Sequence, residues 1–487
     1  MPNATANRAV IILTKVKTKK GAELMDKFKA FFARVGAWLK KACFATGRWL
    51  KKACFATGKW FKSVFVSVDG NPPRMRTWLK KPGVQTAIAS IICALIGILV
   101  GFLILLCVSP SHALKGIGDI LRAYFRFPTQ KLRLKNLGNM LVNAAPLIMC
   151  SLSVLFAYKT GLFNIGVAGQ FCVGICATLF SALAWGLPWY LCLLFSIAVG
   201  AIWGMISGAF KAFFNVNEVI ACIMTNWIGL YLTNIILSDP RVMNGTLSET
   251  YNVADKAPQA IIPSLGLSEL FGSKYVTIAI VFVVIVAIAV SVVLKRTTFG
   301  YELKATGLNK HAAKYAGMKE KRNVIVTMAI AGGIAAAGAS FLYLSGIKNY
   351  VTEASLPATG FNGIAVAFLG GLDPIGVLFA GCFIQHIMTG GAYLDTTYYN
   401  AQIADLMVAV IIYLCAFVLF FRGVIIKRIA KIEKKAELKA ALASGAVAAE
   451  TKTENVDVKA KETVNGDVEV KEETDSSFDD EDEGVDL

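Results

Sequence analysis

Apolar residues in this chain run in long unbroken stretches rather than in the one-sided stripes of water-exposed helices. Thr86 to Val108, Lys274 to Leu294 and Ala404 to Phe421 are the clearest of them. A helix rises about 1.5 Å per residue, so roughly 20 apolar residues cross a hydrocarbon layer about 30 Å thick. Asn139 to Ala157, Leu162 to Ala184, Trp189 to Phe213, Val219 to Leu237 and Val324 to Leu344 read the same way. The last stretch, Phe361 to Thr389, is split by Gly370-Gly371-Leu372-Asp373-Pro374. Proline lacks the amide proton a helix interior needs and glycine bends freely, which predicts two short segments meeting at a turn. The pattern therefore predicts an all-α polytopic membrane protein of about ten spans.

The polar interruptions carry as much information as the runs. Thr297 to Gly317 separates two spans and is punctuated by glycine. Within it Asn309 is placed to cap a helix over Lys310 to Ala316 that stops at Gly317, and Ala312, Ala313 and Ala316 give that helix a slim face able to enter a groove on a partner. Gly161 to Gln170 puts three glycines, Asn164 and Gln170 inside an apolar stretch, the composition of a broken span lining a cavity. Gly200, Gly204 and Gly208 recur at four-residue spacing, which lets two helix backbones approach closely.

Composition agrees with a bilayer setting. Hydrophobic residues make up 56% of 487 and the mean hydropathy is +0.58, above the roughly 45–50% apolar content of soluble domains. Charge then suggests an orientation. Residues 1–83 hold about 19 Lys and Arg against about 3 acids, and cytoplasmic segments carry the positive excess, so the N-terminus is expected inside. Lys159, Lys211, the 295–322 loop, Arg422, Lys427 and Arg428 then fall inside as well. Lys115, Arg122, Arg126, Lys131, Arg133 and Lys135 disagree, since they would face outward; a surface-lying amphipathic helix over Ile117 to Phe127 accounts for part of this.

Three regions follow. Residues 1–83 form a basic extension in which Trp38 to Arg48 recurs from Trp49 to Lys59, and Trp60-Phe61-Lys62 opens a third copy (repeat region 38–62). Eleven residues are close to three helical turns, so Trp38, Trp49 and Trp60 would share a face suited to an anionic membrane surface. The short, lysine-interrupted apolar stretches there do not form a signal peptide. Residues 84–422 hold the spans, with the 296–322 loop among them. Residues 423–487 form a cytoplasmic tail; from Glu450 it carries about 15 acids against about 4 lysines, the composition of a disordered segment.

Bond-making chemistry finds little support. No Gly-x-x-x-x-Gly-Lys-Ser/Thr phosphate loop occurs, and Gly58-Lys59-Trp60 fails the pattern because position 53 is Ala. Most of the 11 cysteines lie inside spans, where Cys behaves as a small hydrophobe, and His112, His311 and His386 are far apart. No metal site, catalytic residue or nucleic-acid surface is expected. Acids deep in a span usually mark ion pathways, yet none lies between Asn139 and Phe213, and Glu218, Asp373, Asp395 and Asp405 fall near span ends. That weakens an ion-coupled secondary transporter, the reading of a different class. Uncharged amides do enter the spans: Asn143, Asn164, Gln170, Asn226 and Asn362. They suit passage of a neutral, hydroxyl-rich solute or hydrogen bonding between helices.

Four motifs in order, Gly161 to Gln170, Asn217 to Ile220 with Met224-Thr225-Asn226, Phe299 to Gly317, and Gly363 to Gly371 with Asp373 to Gly376, resemble the permease subunits of ABC importers for nucleosides and simple sugars. The resemblance runs from about Leu137 to Phe421. It implies a type II-like importer permease that pairs with a second permease subunit, in a heterodimer, in the bacterial cell membrane. A separate ATPase subunit would hold ATP and Mg, this chain binding no cofactor, and a surface lipoprotein would deliver the solute. A nucleoside is the expected solute, with a sugar such as ribose or galactose as the alternative.

The resemblance makes Phe299 to Gly317 the coupling segment for the ATPase, with Gly300, Tyr301, Glu302, Gly307, Asn309, Ala312, Ala313, Ala316 and Gly317 as its residues. Asn164, Gln170, Asn226, Trp227 and Asn362 are the expected pathway residues, an aromatic ring and amides able to handle a base or a sugar face. Where family members often carry Glu, this chain has Ala168, so no role resting on that acid transfers.

Overall fold

The computed structural model describes residues 82–395 and 397–399, and scattered positions between 406 and 427. The chain divides into two units, Met1–Val84 and Gln85–Leu487, and the second is described below. The basic extension with its tryptophan repeat, most of the Ala404 to Phe421 run and the acidic tail lie outside the described residues.

The fold is helical. Helix α1 (Pro82–Val108) is followed by α2 (Ala113–Arg122), α3 (Gln130–Lys159), α4 (Val167–Leu183), α5 (Trp189–Phe214) and α6 (Glu218–Leu237). A two-residue-per-strand hairpin, β1 (Met243–Asn244) with β2 (Glu249–Thr250), leads into short helices α7 (Val253–Lys256) and α8 (Leu267–Phe271). Then come α9 (Ala279–Arg296), α10 (Thr298–Leu308), α11 (Lys310–Tyr315), α12 (Glu320–Tyr343), α13 (Ala358–Leu369) and α14 (Pro374–Gly391). Among the described residues 7 helices are long and apolar enough to cross a membrane, namely α1, α3, α5, α6, α9, α12 and α14, and α4 and α13 are shorter apolar helices.

Burial separates the centre from the rim. Helices α3 and α12 are the most enclosed of the spans, whereas α1 and α9 leave most of their apolar surface outward. In water such surface would be a liability; against lipid tails it costs nothing, because tails are as apolar as leucine. Glycines set the closest contact. A Cβ at Gly200 would lie 2.7 Å from the Gly332 carbonyl oxygen, and one at Gly332 would lie 3.1 Å from the Gly204 Cα, so the four-residue glycine spacing on α5 seats it against α12. Ser196 Oγ reinforces the seam by donating to the Ala336 carbonyl at 3.2 Å, and the Thr178 and Ser340 hydroxyls meet at 2.7 Å.

The split run behaves as its sequence predicts. Helices α13 and α14 meet at a turn in which Leu372 and Gly371 have φ of 54° and 67°. Asp373 caps α14 by accepting from the Ile375 N–H, with Pro374 in the first turn, where its missing amide proton is not needed. Lys295 at the end of α9 pairs with the Asp373 carboxylate.

Several boundaries differ from the sequence reading, among them that at Leu162, where the helix begins only at Val167. Helix α3 begins at Gln130, well before Asn139, because Lys131 to Lys135 continue it beyond the apolar run. Helix α9 begins at Ala279, since the Ser273 hydroxyl bonds Asn139 Oδ1 at 2.6 Å and ties the preceding loop to α3. The amphipathic helix expected over Ile117 to Phe127 is α2 followed by one 3-10 turn, Ala123–Arg126. Ala113, Gly116, Ile120 and Ala123 are buried while Leu114, Leu121 and Phe125 are exposed. Three of the six cations that disagree with the charge pattern are engaged here: Lys115 lies 3.7 Å from Asp395, Arg126 donates to the Tyr393 carbonyl, and Arg133 to the Phe127 carbonyl.

If the α5–α12 seam rests on missing side chains, Gly204→Val should cost about 1–3 kcal/mol or more through overpacking. Gly118→Val, at a position with nothing within 4 Å of a Cβ, should change little. Thermal unfolding of the detergent-solubilised protein, followed by tryptophan fluorescence, checks the contrast.

Candidate functional site

At the end of the molecule where α9 passes into α12, two short helices project. Thr297 caps α10, its hydroxyl accepting from the Gly300 N–H at 3.0 Å. Gly300 is buried, and a Cβ there would lie 2.9 Å from the Leu294 Cα, so α10 folds back tightly on the end of α9. Asn309 caps α11 by accepting from the His311 and Ala312 N–H groups at 3.1 and 3.0 Å. Helix α11 ends at Tyr315, and Gly317 follows with φ of 83°.

The projecting face is not the one the alanines alone suggest. Ala313 is buried, because the chain folds back after Gly317 and the Met318 N–H donates to the Ala313 carbonyl. Ala312 and Ala316 remain exposed. The groups that protrude furthest are Leu308 and Tyr315, 89% and 94% exposed, with Tyr301 at 65% and Glu302 half-buried behind it. Beside them lies a groove of about 600 Å³ lined from Thr160–Leu162, Lys211–Phe213, Asn215, Thr306–His311, Glu320, Lys321 and Val324. Lys211 in its wall pairs with Glu218 at 3.0 Å.

Helix α10 touches the membrane core at one place without side chains. Gly161, with φ of 80°, faces Gly307: a Cβ at Gly161 would lie 2.7 Å from the Gly307 oxygen, and one at Gly307 would lie 2.6 Å from the Gly161 nitrogen. Real Cβ atoms do not come that close, so the contact is backbone on backbone. Thr306, one residue away and buried, accepts from Asn323 Nδ2 at 2.9 Å and so tethers α10 to α12.

Behind Gly161 the chain stays out of helix until Val167. Buried backbone without helical partners is costly in hydrocarbon; of the amides expected in the pathway, Asn226 supplies backbone partners, and Asn164 and Gln170 bond side chains. Asn226 on α6 accepts from the Gly169 N–H at 2.8 Å and donates to the Ile165 carbonyl at 3.1 Å. Asn164 Nδ2 donates to Gln170 Oε1 at 2.9 Å and to Ser153 Oγ at 3.1 Å, and Gln170 Nε2 donates back to Asn164 Oδ1 at 3.2 Å. All three side chains are enclosed, at 0%, 1% and 1% exposure for Asn164, Gln170 and Asn226. In this arrangement they hold the break between α3 and α4 to α6, and none faces open space.

Two of the expected pathway residues are differently placed. Trp227, the next residue on α6, is 40% exposed and stacks on Tyr231 with centroids 6.0 Å apart. It belongs to an open face of α6 that includes Met224 and Ile228. Asn362 on α13 is half-buried and makes no side-chain hydrogen bond among the described residues. Thr160, Ser153, Thr306 and Asn323 were not singled out by the sequence reading; single hydroxyls and one amide at helix ends carry no pattern until their partners are known.

Seven helices long and apolar enough to cross a membrane, with a capped helix pair projecting between two of them, mark a multi-pass membrane protein. Residues 136–416, more than half of the chain, match the family described as branched-chain amino acid transport system, permease component, and the chain belongs to that family. It is 33% identical over 280 residues to the guanosine ABC transporter permease protein NupP of Bacillus subtilis (strain 168), covering 56% of this chain and 79% of the relative. It is 31% identical over 291 residues to the nucleoside ABC transporter permease protein NupB of Lactococcus lactis subsp. cremoris (strain MG1363), covering 58% and 79%. Similarity to the glucose ABC transporter permease protein TsgB13 of Haloferax volcanii is 29% over 286 residues, covering 57% and 74%. No solved structure matches the chain significantly.

The geometry divides the amides by role. Asn226→Ala orphans the buried Gly169 N–H, at about 1–3 kcal/mol, and should lower the melting temperature by several degrees. Asn362→Ala should leave melting unchanged and act on solute uptake alone. Paired melting and uptake assays on the two variants check the division.

Proposed function

We propose that this chain is a pore-forming permease subunit of an ATP-driven importer for nucleosides. The similarity to NupP and NupB across four fifths of their length is the observation that carries the reading. In it a second permease subunit pairs with this one, a separate ATPase binds ATP and Mg, and a surface lipoprotein delivers the nucleoside. The chain crosses a bacterial cell membrane about ten times, with both termini in the cytoplasm, and the basic extension rests on anionic lipid.

The helix pair α10–α11 docks on the ATPase. Its capped ends and the exposed Leu308 and Tyr315 support this, since apolar groups that protrude at the end of a span, away from lipid, are otherwise unfavourable in water. Trp227 and Asn362 line the solute pathway, where an aromatic face can stack on a base and a free amide can bond it. Enclosure of Asn164, Gln170 and Asn226 favours a positioning role for those three.

A second reading keeps the same machinery and changes the solute: the likeness to a permease named for glucose supports a simple sugar. Uptake of labelled guanosine by cells lacking the gene, with and without its restoration, separates the two. Restored uptake blocked by excess adenosine or uridine and not by ribose is the expected outcome. No gene-dependent uptake of guanosine would transfer the proposal to sugars.

A further inference from the structure

One contact between the projecting helices and a distant part of the chain contains no side chain, and its continuation leads to one helix in particular. Gly307, at the end of α10, lies against Thr160 and Gly161, and a Cβ on either glycine would overlap backbone atoms of the other. From Gly161 the chain runs without helix to Val167. Along this stretch Asn226 of α6 grips the Ile165 carbonyl and the Gly169 N–H, while Asn164 is fixed to Gln170 and Ser153. A second backbone contact lies at the far end: a Cβ at Gly169 would lie 2.6 Å from the Asn226 Cα, and one at Gly229 would lie 3.1 Å from the Gly169 oxygen.

We infer that Gly307, Gly161 and Asn226 are positioning residues of a single mechanical link, through which displacement of α10–α11 shifts α6 and its open Trp227 face. The inference rests on the proposal that α10–α11 docks on the ATPase. Three features carry it. Backbone pressed on backbone has no rotamer to absorb a push, so displacement passes on where a side-chain contact would dissipate it. The far end of the intervening segment is held by Asn226 at Ile165 and Gly169, so that end cannot move without taking α6 along. Besides its chain junction with α9 at Gly300, α10 is tethered from Thr306 to Asn323 of α12, which is packed against α5, α3 and α4 and offers little travel. Helix α6 packs chiefly on α4 and, among the described residues, leaves Ile220, Met224, Ile228 and Ile235 exposed, so it is less enclosed than α12.

The test uses the complete importer in proteoliposomes: this chain, its partner permease, the ATPase and the binding protein, with labelled guanosine inside-directed and ATP hydrolysis measured together. In Gly307→Ala an added methyl separates α10 from Gly161, and in Asn226→Ala the far end of the link is cut. Each variant should retain the ATPase on purification and turn over ATP, with guanosine carried per ATP falling at least tenfold. A merely structural role would lower both quantities in parallel through loss of folded complex, leaving their ratio unchanged. Either variant keeping a ratio within twofold of the parent overturns the link, and so does failure of Gly307→Ala to retain the ATPase, which would make the contact a docking feature. A parent complex with no ATP-dependent uptake would remove the functional reading itself, a result distinguishable from both.

Discussion

A break in a helix inside a membrane is tolerated only if something satisfies the backbone it exposes, and the rest of this structure is arranged around one such break. Between Lys159 and Val167 the chain leaves helix beneath the end of α10. Several residues of this stretch, Thr160, Leu162, Asn164 and Gly166, are buried, and a backbone group left unpaired in hydrocarbon costs several kcal/mol. Asn226 takes one N–H and one carbonyl, and Asn164 and Gln170 satisfy each other. The amides thereby fasten three separate helices, α3 through Ser153, α4 through Gln170 and α6 through Asn226, to one seven-residue turn.

Around that turn the molecule has a stiff side and a loose side. Glycine-to-glycine packing between α5 and α12, with the Ser196 hydroxyl bonding across the seam and Thr178 of α4 meeting Ser340 of α12, leaves no slack. Helix α6 is joined to the core through the Asn226 bonds, a pair of glycines, the Glu218–Lys211 ion pair and the Asn234 bonds to Glu353 and Tyr350, with an apolar flank that is exposed among the described residues. A permease must alternate between two arrangements, and such changes proceed by movement of packed elements past one another. The division of stiffness favours α6 as the moving element and the α3–α5–α12 core as the frame.

The sequence revealed the spans because burial in lipid demands length and apolarity, both of which are local. The turn between α13 and α14 was legible for the same reason: Gly371 and Pro374 have conformational consequences wherever they stand. The α11 helix was legible from Asn309 and Gly317, which act on their immediate neighbours. Ala313 was misplaced because facing inward or outward depends on where the chain returns after Gly317. The amides show the limit most clearly. Asn164, Asn226 and Asn362 look alike in sequence, yet two are enclosed and bonded while the third is half-buried with no side-chain hydrogen bond among the described residues, and only the fold decides which. The Gly161–Gly307 contact joins residues far apart in the chain, and nothing in either segment alone points to the other.

The central claim is that ATP hydrolysed on a partner subunit drives solute through a pathway bordered by this chain. Accumulation of labelled guanosine in energised cells, followed while proton and sodium gradients are collapsed and cellular ATP is held constant, tests it most directly. Continued accumulation, with loss only when ATP is depleted, is the predicted result. Accumulation that stops with the gradients while ATP remains would contradict the account and make the chain an ion-coupled carrier.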